Sequence, residues 1–295
     1  LRDDAPPQRI FPRRSRAAVL HWNTRPERTT EPAMPQDRHL TLYHSPRSRS
    51  AGARMLLEEL SADYELHVFD LSAGKHHDAE YLGINPMGKV PALRHGDVIV
   101  TEQAAVYMYA AELYSEAGLT PAPGDLLRGP YLRWMTFYGS CLEPAVVDRS
   151  MNRPPAAYST SPYGDFDAVI NAIDTQLAKG PWLLGERFTA ADVLWGSALH
   201  WTTMFKLVPE TPNIRAYVDR VLARPAIQRA QAADAALATE QDKAKGGSVR
   251  CKVAKCRADL DARPARHAVK TSYAGRRAPR PESPNSMPRS DRARR

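Results

Sequence analysis

The chain has 295 residues, 43% hydrophobic and 25% charged, with a formal net charge of +8, long enough for two domains. The charge is uneven: residues 1–33 hold seven Lys/Arg against four Asp/Glu, residues 34–241 hold 18 against 24, and residues 242–295 hold 16 against five, so the basic excess sits in the two ends and gives no ground for reading the body as a nucleic-acid binder. Three cysteines, Cys141, Cys251 and Cys256, make no disulfide framework, and no run nears the ~20 apolar residues that cross a bilayer, so a reducing, cytoplasmic setting is the expectation.

Residues 1–38 are rich in Pro and Arg and show little periodicity. They read as a disordered extension, or as an artefact of where the reading frame opens, with Met34 nearer the true start. A twin-arginine or mitochondrial signal at Arg13-Arg14-Ser15-Arg16 is the alternative. His39 to Tyr43 reads as a first strand. A helix follows from about Ser48, with Ala53, Leu56, Leu57 and Leu60 at helical spacing. Tyr64 to Phe69 alternates as a second strand. Gly74-Lys75-His76-His77 is a polar loop before a short helix near Asp78 to Leu82.

Asn85-Pro86-Met87-Gly88-Lys89-Val90-Pro91-Ala92-Leu93 then sets two prolines, a glycine and a lysine ahead of an apolar strand. Gly88 permits a sharp turn. Pro91 has no N–H for a ladder, so it belongs at a sheet edge or at the first position of a strand. A cis Val90–Pro91 bond would turn the N–H and C=O of Val90 outward, where an extended peptide can pair with them like an added strand. A plain tight turn is the alternative. Pro91 to Arg94 and Val98 to Val100 read as a hairpin. Thr101-Glu102-Gln103-Ala104-Ala105 opens a helix that continues to Ser115. A helix start favours anions, and Glu102 beside it offers a charge to an ammonium. The combination suits a peptide carrying both an amine and a carboxylate.

This β-α-β-α-β-β-α order is that of an α/β thioredoxin-like domain over residues 39–118, its first two strands parallel and its last two antiparallel. Residues 119–125, with two prolines and a glycine, read as a linker. Beyond them strand signals vanish. Helices near Leu126 to Val147, Phe166 to Lys179, Ala190 to Phe205, Ile214 to Ala223 and Ala226 to Ala236 make residues 126–241 an all-α domain. Thr189 and Asp192 have the spacing of a capping box, flanked by Phe188 and Val193 as a hydrophobic staple, which is a folding device. Cys141 reads as an inert buried thiol. Cys251 and Cys256 have four residues between them and no second pair, so no metal is expected. Residues 242–295 are basic with few large apolar side chains and read as a disordered tail, of which nucleic-acid contact is not expected.

Tyr43-His44-Ser45-Pro46-Arg47-Ser48-Arg49-Ser50, then Asn85 to Leu93, then Thr101 to Tyr109 resemble the glutathione site of the glutathione S-transferase family, and most nearly its bacterial and fungal branch with a Pro-Arg-Ser-Arg-Ser stretch before the first helix. The likeness spans about residues 39–236, both domains in order. It implies the family's thioredoxin-like domain followed by an all-α domain, a homodimer, glutathione as cosubstrate, and attack of its thiolate on a small electrophile. A free thiol titrates near about 8.5, so the protein must stabilise the thiolate. The start of the first helix and a hydroxyl or cation aimed at the sulfur are the means available. Ser48 is the first candidate, with Ser50 and Arg49 in reserve; an ordinary helix cap is the other reading of each serine. Arg49 stands where the cysteine-using bacterial class has its cysteine, so a mixed disulfide there is not implied. The resemblance assigns the Val90 backbone, set by Pro91, to the cysteinyl unit, and Glu102 to the γ-glutamyl ammonium. It assigns Gln103, where the family usually has Ser, with the helix start to the neighbouring carboxylate, and Lys89, His76 or His77 to the glycyl carboxylate. Trp134, Phe137 and Tyr138 are candidates for an electrophile pocket between the domains, or for plain core. The rival readings are a glutathione-dependent peroxidase or disulfide reductase on the same site, and a non-catalytic binding module.

Overall fold

A computed structural model describes residues 37–154 and 156–261, with side chains as far as residue 245. The extension with Met34 and the Arg13 to Arg16 run, apart from Asp37 and Arg38, and the tail beyond 261 lie outside the described residues. The chain divides into two units, Leu1–Gln241 and Asp242–Arg295, and the packing described below is that of the first.

Strand β1 (Leu40–His44) is the centre of the first half, with Leu40, Leu42, Tyr43 and His44 all buried. A strand covered on both faces reads as an apolar run, and helices provide the cover. From β1 the chain passes through α1 (Ser50–Glu59) to β2 (Tyr64–Val68), α2 (Ala79–Leu82), β3 (Ala92–His95), β4 (Val98–Val100) and α3 (Gln103–Leu113). The sheet order is β2-β1-β3-β4, with β1 and β2 parallel and the other pairs antiparallel. The thioredoxin-like order read from the sequence is therefore the observed one, because a helical crossover makes a parallel pair and a short turn an antiparallel pair. On α1, Ala53, Leu56 and Leu57 are buried on one face. Gly52 lets that helix approach its neighbours closely: a Cβ there would lie 2.5 Å from the Tyr107 hydroxyl and 2.7 Å from Ser197 Oγ.

The second half is helical: α4 (Arg128–Phe137), α5 (Glu143–Ser150), α6 (Phe166–Leu177), α7 (Ala190–Met204), α8 (Pro212–Leu222) and α9 (Pro225–Asp261). The single helix expected over Leu126 to Val147 is instead α4 and α5 joined by a wider π-helical turn, Tyr138–Leu142. Pro144 explains the change, since it has no N–H to return and its ring crowds the carbonyl four residues back. The helix expected to stop near Ala236 runs on to Asp261. Its later residues include Ala, Lys and Arg, which favour helix, so the disorder expected from residue 242 gives way to helix as far as Asp261.

One apolar core runs through both halves of the first unit and takes in Leu42, Leu56, Tyr107, Trp134, Trp195 and Tyr217. Trp134 and Trp195 meet edge to face at 5.4 Å, and Trp195 Nε1 donates to the Trp134 carbonyl at 3.0 Å. The capping box at the start of α7 is formed. Asp192 also reaches outside it: its carboxylate accepts from the Leu183 N–H at 2.7 Å and the Tyr217 hydroxyl at 3.0 Å. The segment 119–125 is tied to α7 and to the turn before it: the Ala190 N–H donates to the Leu119 carbonyl at 2.8 Å, and Arg187 pairs with Asp125 at 2.7 Å.

Candidate functional site

Strand register gathers three segments at one end of the sheet. Tyr43 lies opposite Ala92, so the loop leaving β1 starts beside Val90 and Pro91, which lead into β3. Leu93 lies opposite Val100, so Thr101 and Glu102 leave β4 at that same end. Gln103 Nε2 donates to the Arg49 carbonyl at 3.3 Å, which ties the start of α3 to the start of α1.

The loop before β3 is held by its own side chains. Asn85 Nδ2 and the Tyr81 hydroxyl both donate to the Lys89 carbonyl, at 2.8 and 2.6 Å, while Asn85 Oδ1 accepts the Met87 N–H at 3.0 Å. Gly88 has φ +58°, and a Cβ there would lie 2.9 Å from the His76 carbonyl. The Val90–Pro91 bond is cis. Ladder pairing starts at Ala92, and among the described residues none pairs with the backbone N–H or C=O of Val90. Lys89 is exposed and Val90 half-buried. The His76 and His77 rings meet at 3.9 Å, tilted by 45°, beside this loop. Burial, with His77 and Lys89 nearby, pushes the His76 imidazole below its ordinary value.

Glu102 is exposed and has φ 64° and ψ 120°. A side-chain-bearing residue rarely takes that conformation; holding it costs about 1–3 kcal/mol, and such residues cluster at functional sites. Directly after it, the first N–H groups of α3 have no partner within the helix.

At the start of α1 the two serines differ. Ser50 is wholly buried, its Oγ 2.9 Å from His44 Nδ1 and 3.1 Å from the Ser45 carbonyl, and it accepts the Ser45 N–H at 3.0 Å. Ser48 is half-buried and lies farther out. Its Oγ is 2.7 Å from Ser50 Oγ, donates to the Ser45 carbonyl at 2.7 Å and accepts the Ser50 N–H at 3.2 Å. Behind them, buried His44 puts Nε2 3.2 Å from Asp234 Oδ1 on α9, and Arg54 pairs with the same carboxylate at 2.8 Å.

Arg49 is exposed and turns to the helical half, where it forms a two-pronged pair with Glu143 at 2.7 and 2.6 Å. The buried Tyr138 hydroxyl has one proton to share between Glu143 and Gln103 Oε1, the latter 2.8 Å away. Burial and the Glu143 charge push that hydroxyl well above its ordinary value, so it stays protonated. Trp134 and Tyr138 belong to the core rather than to an open wall, and Phe137 is half-buried. Two surface hollows of about 380 and 420 Å³ lie in the helical half, around Asp174 and Met204, and include none of the candidate site residues.

Asp234, Glu143 and Tyr81 are absent from the sequence-derived set, and His44 stands in the Tyr43 to Ser50 stretch with no role assigned to it. The spacing of Asn85 and Lys89 carries a readable turn signal, since an Asn side chain bonds its own backbone two residues on. Asp234 and Glu143 carry no local signal, because their partners are distant in the chain.

Two family models match the chain: glutathione S-transferase, N-terminal domain, over residues 38–112, and glutathione S-transferase, C-terminal domain, over residues 163–220. Glutathione S-transferase GstA of Escherichia coli O157:H7 is 25% identical over 198 residues, covering 66% of this chain and 98% of the relative. A crystal structure of a glutathione transferase from Methylococcus capsulatus is 32% identical with a TM-score of 0.57, covering 66% and 98% of the two chains. A sphingomonad glutathione S-transferase complexed with glutathione is 30% identical with a TM-score of 0.55, again covering 66% and 98%. Among the described residues no helix is long and apolar enough to cross a membrane, and no cluster of His, Cys, Asp and Glu is arranged to hold a metal ion.

Proposed function

The chain belongs to the glutathione S-transferase family, and on that footing we propose that it is a glutathione transferase, binding glutathione at the sheet end built by Val90, Glu102 and the start of α1. One observation supports this most directly: unpaired strand-like backbone at Val90 and the strained Glu102 face the same end of the sheet as the first turn of α1. That arrangement fits an extended tripeptide with an ammonium at one end and a thiol in the middle.

In this reading Val90 pairs with the cysteinyl unit and Glu102 meets the γ-glutamyl ammonium. The N-terminus of α3, with Gln103, holds the adjoining carboxylate. Lys89, with His76 or His77, holds the glycyl carboxylate. Ser48 is the hydroxyl at the sulfur, since Ser50 is wholly buried and the Arg49 guanidinium is engaged with Glu143. Residues 39–118 form the glutathione half and residues 126–241 the helical half, joined by 119–125. The protein works as a homodimer in the cytoplasm.

The test is conjugation of glutathione to 1-chloro-2,4-dinitrobenzene by the full chain, alongside Ser48→Ala and Glu102→Ala. Ser48→Ala should lower kcat with little change in the KM for glutathione, and Glu102→Ala should raise that KM. Turnover of hydroperoxides or mixed disulfides without conjugation would reassign the chemistry. Retention on immobilised glutathione without any turnover would make the chain a binding module.

A further inference from the structure

The line of groups behind Ser48 is longer than thiolate stabilisation by one hydroxyl needs. Ser48 Oγ, Ser50 Oγ and His44 Nδ1 follow one another at 2.7 and 2.9 Å, and His44 Nε2 faces Asp234 Oδ1 at 3.2 Å. Three of these four residues are inside the protein: His44 and Ser50 are fully buried and Asp234 is 9% exposed. They come from the end of β1, the start of α1 and α9, so no single secondary-structure element explains their alignment. The Ser45 backbone holds the pair of hydroxyls, its N–H donating to Ser50 Oγ and its carbonyl 2.7 and 3.1 Å from the Ser48 and Ser50 oxygens, so each serine's one proton can turn either to that carbonyl or along the line.

A buried imidazole is a poor place for a charge unless a partner offsets the lost hydration. Asp234 is such a partner. Burial pushes its carboxyl up, but His44 and Arg54 outweigh that and hold it below the usual carboxylate range. The Asp234 charge favours a proton on the nitrogen nearer to it: Nε2 lies 3.2 Å from Oδ1 as an ion-pair contact outside hydrogen-bond alignment, which leaves Nδ1 to accept from Ser50. This is the logic by which an acid orients a histidine for a hydroxyl. The charged groups on this side of His44 are Asp234 from α9 and, through it, Arg54 from α1.

We propose that Ser48, Ser50 and His44 form a proton relay that takes the thiol proton of bound glutathione into the protein, with Asp234 as the positioning residue behind it. This rests on the glutathione reading above. In the step, the sulfur gives its proton to Ser48 Oγ, Ser48 gives its own to Ser50 Oγ, and Ser50 gives its own to His44 Nδ1. One S–H and two O–H bonds break; two O–H bonds and one N–H bond form. No electrons are exchanged, and the products are a thiolate and an imidazolium facing Asp234. The same transfer leaves the new Ser48 proton between its oxygen and the sulfur, so the relay ends with a hydroxyl donating to the charge it created. A thiol that only loses its proton to water needs none of the buried half of this line.

The test is to count protons released when glutathione binds the full chain. Calorimetry in buffers of different ionisation enthalpy gives the count, and ultraviolet absorbance reads the bound thiolate. The wild-type protein should bind glutathione as thiolate while releasing well under one proton per site at neutral pH. Ser50→Ala should move the titration of the bound thiol up by about one unit, an about tenfold loss of kcat/KM below that value, with the KM for glutathione nearly unchanged. Asp234→Asn should do the same, and the double variant should be no worse than the poorer single one. If Asp234→Asn fails to fold because Arg54 loses its partner, Ser50→Ala decides alone, since it keeps that ion pair. Thiolate binding with a full proton released to buffer, or a thiol titration unmoved by Ser50→Ala, overturns the relay and leaves the transferase reading standing. No glutathione binding at all overturns both.

Discussion

Asp192→Ala tests whether one buried carboxylate does more than cap a helix. As a cap alone, its loss would cost about 1 kcal/mol, up to ~2. Its surroundings predict more. Oδ2 accepts from the Thr189 N–H at 2.8 Å and the Thr189 hydroxyl at 3.1 Å, while Oδ1 accepts from the Leu183 N–H at 2.7 Å and the Tyr217 hydroxyl at 3.0 Å. Leu183, Thr189, Asp192 and Tyr217 are all buried, so water does not replace what is lost. Each orphaned buried donor costs about 1–3 kcal/mol. The carboxylate's own burial was unfavourable and its removal gives part of that back. The net expectation is a loss of about 3–5 kcal/mol, among the largest for a single substitution. Urea unfolding followed by circular dichroism measures it, with the midpoint read against an unchanged slope. Thr189→Ala, which keeps the carboxylate and its bonds to Leu183 and Tyr217, should lose only about 1–2 kcal/mol. Glutathione affinity of the folded Asp192→Ala protein should stay near that of the parent. Equal losses in the two variants, or unchanged stability with weakened binding, would refute this account.

Three further outcomes follow from the site. Gly88→Ala forces a Cβ to 2.9 Å from a backbone carbonyl at φ +58° and should cost about 2–3 kcal/mol and weaken glutathione retention; Gly124→Ala, at φ +90° with open space around it, should cost only about 1–2 kcal/mol, both read from denaturant midpoints. Tyr138→Phe removes a hydroxyl that stays protonated, so kcat/KM should fall less than about threefold while stability drops by about 1 kcal/mol; a hundredfold loss of kcat/KM would make Tyr138 part of the chemistry. His76 is held below its ordinary value and is neutral at pH 7.5, so Lys89→Ala should raise the KM for glutathione there by about two- to fivefold and His76→Ala much less. Because the folded value of His76 lies below the unfolded one, its contribution to stability is present above the ordinary imidazole range and is lost as pH falls through the depressed value; an acid titration of the His76→Ala melting temperature checks the sign.

Much of the fold is legible because its determinants are local. The strands around Leu42, Leu66, Leu93 and Ile99, and the helix carrying Ala53, Leu56 and Leu57, declare themselves by period. The Thr189–Asp192 box declares itself by a three-residue spacing. Even the meeting of Val90 with Glu102 follows from strand order, since an antiparallel pair brings a strand's start beside its neighbour's end. The π turn at Tyr138 was not legible, because period alone does not say how a helix absorbs Pro144. Neither was the reach of α9 to Asp261, where favourable helix formers outlast the apolar pattern that marks a buried face.

By itself, the amino-acid order determined the two-part architecture and the residue types that gather at the sheet end, and it offered an outward-facing Val90 as one of two readings of the turn. Those features depend on backbone conformation and on side chains a few positions apart, which a chain carries with it wherever it folds. Tertiary structure alone decided that Ser50 faces inward to His44 while Ser48 faces outward, that Arg49 is taken by Glu143, and that Asp234 from the last helix of the helical half stands behind the first strand. Each of those pairings depends on how helices from the second half dock on the first, and packing of that kind leaves no periodic trace in either segment.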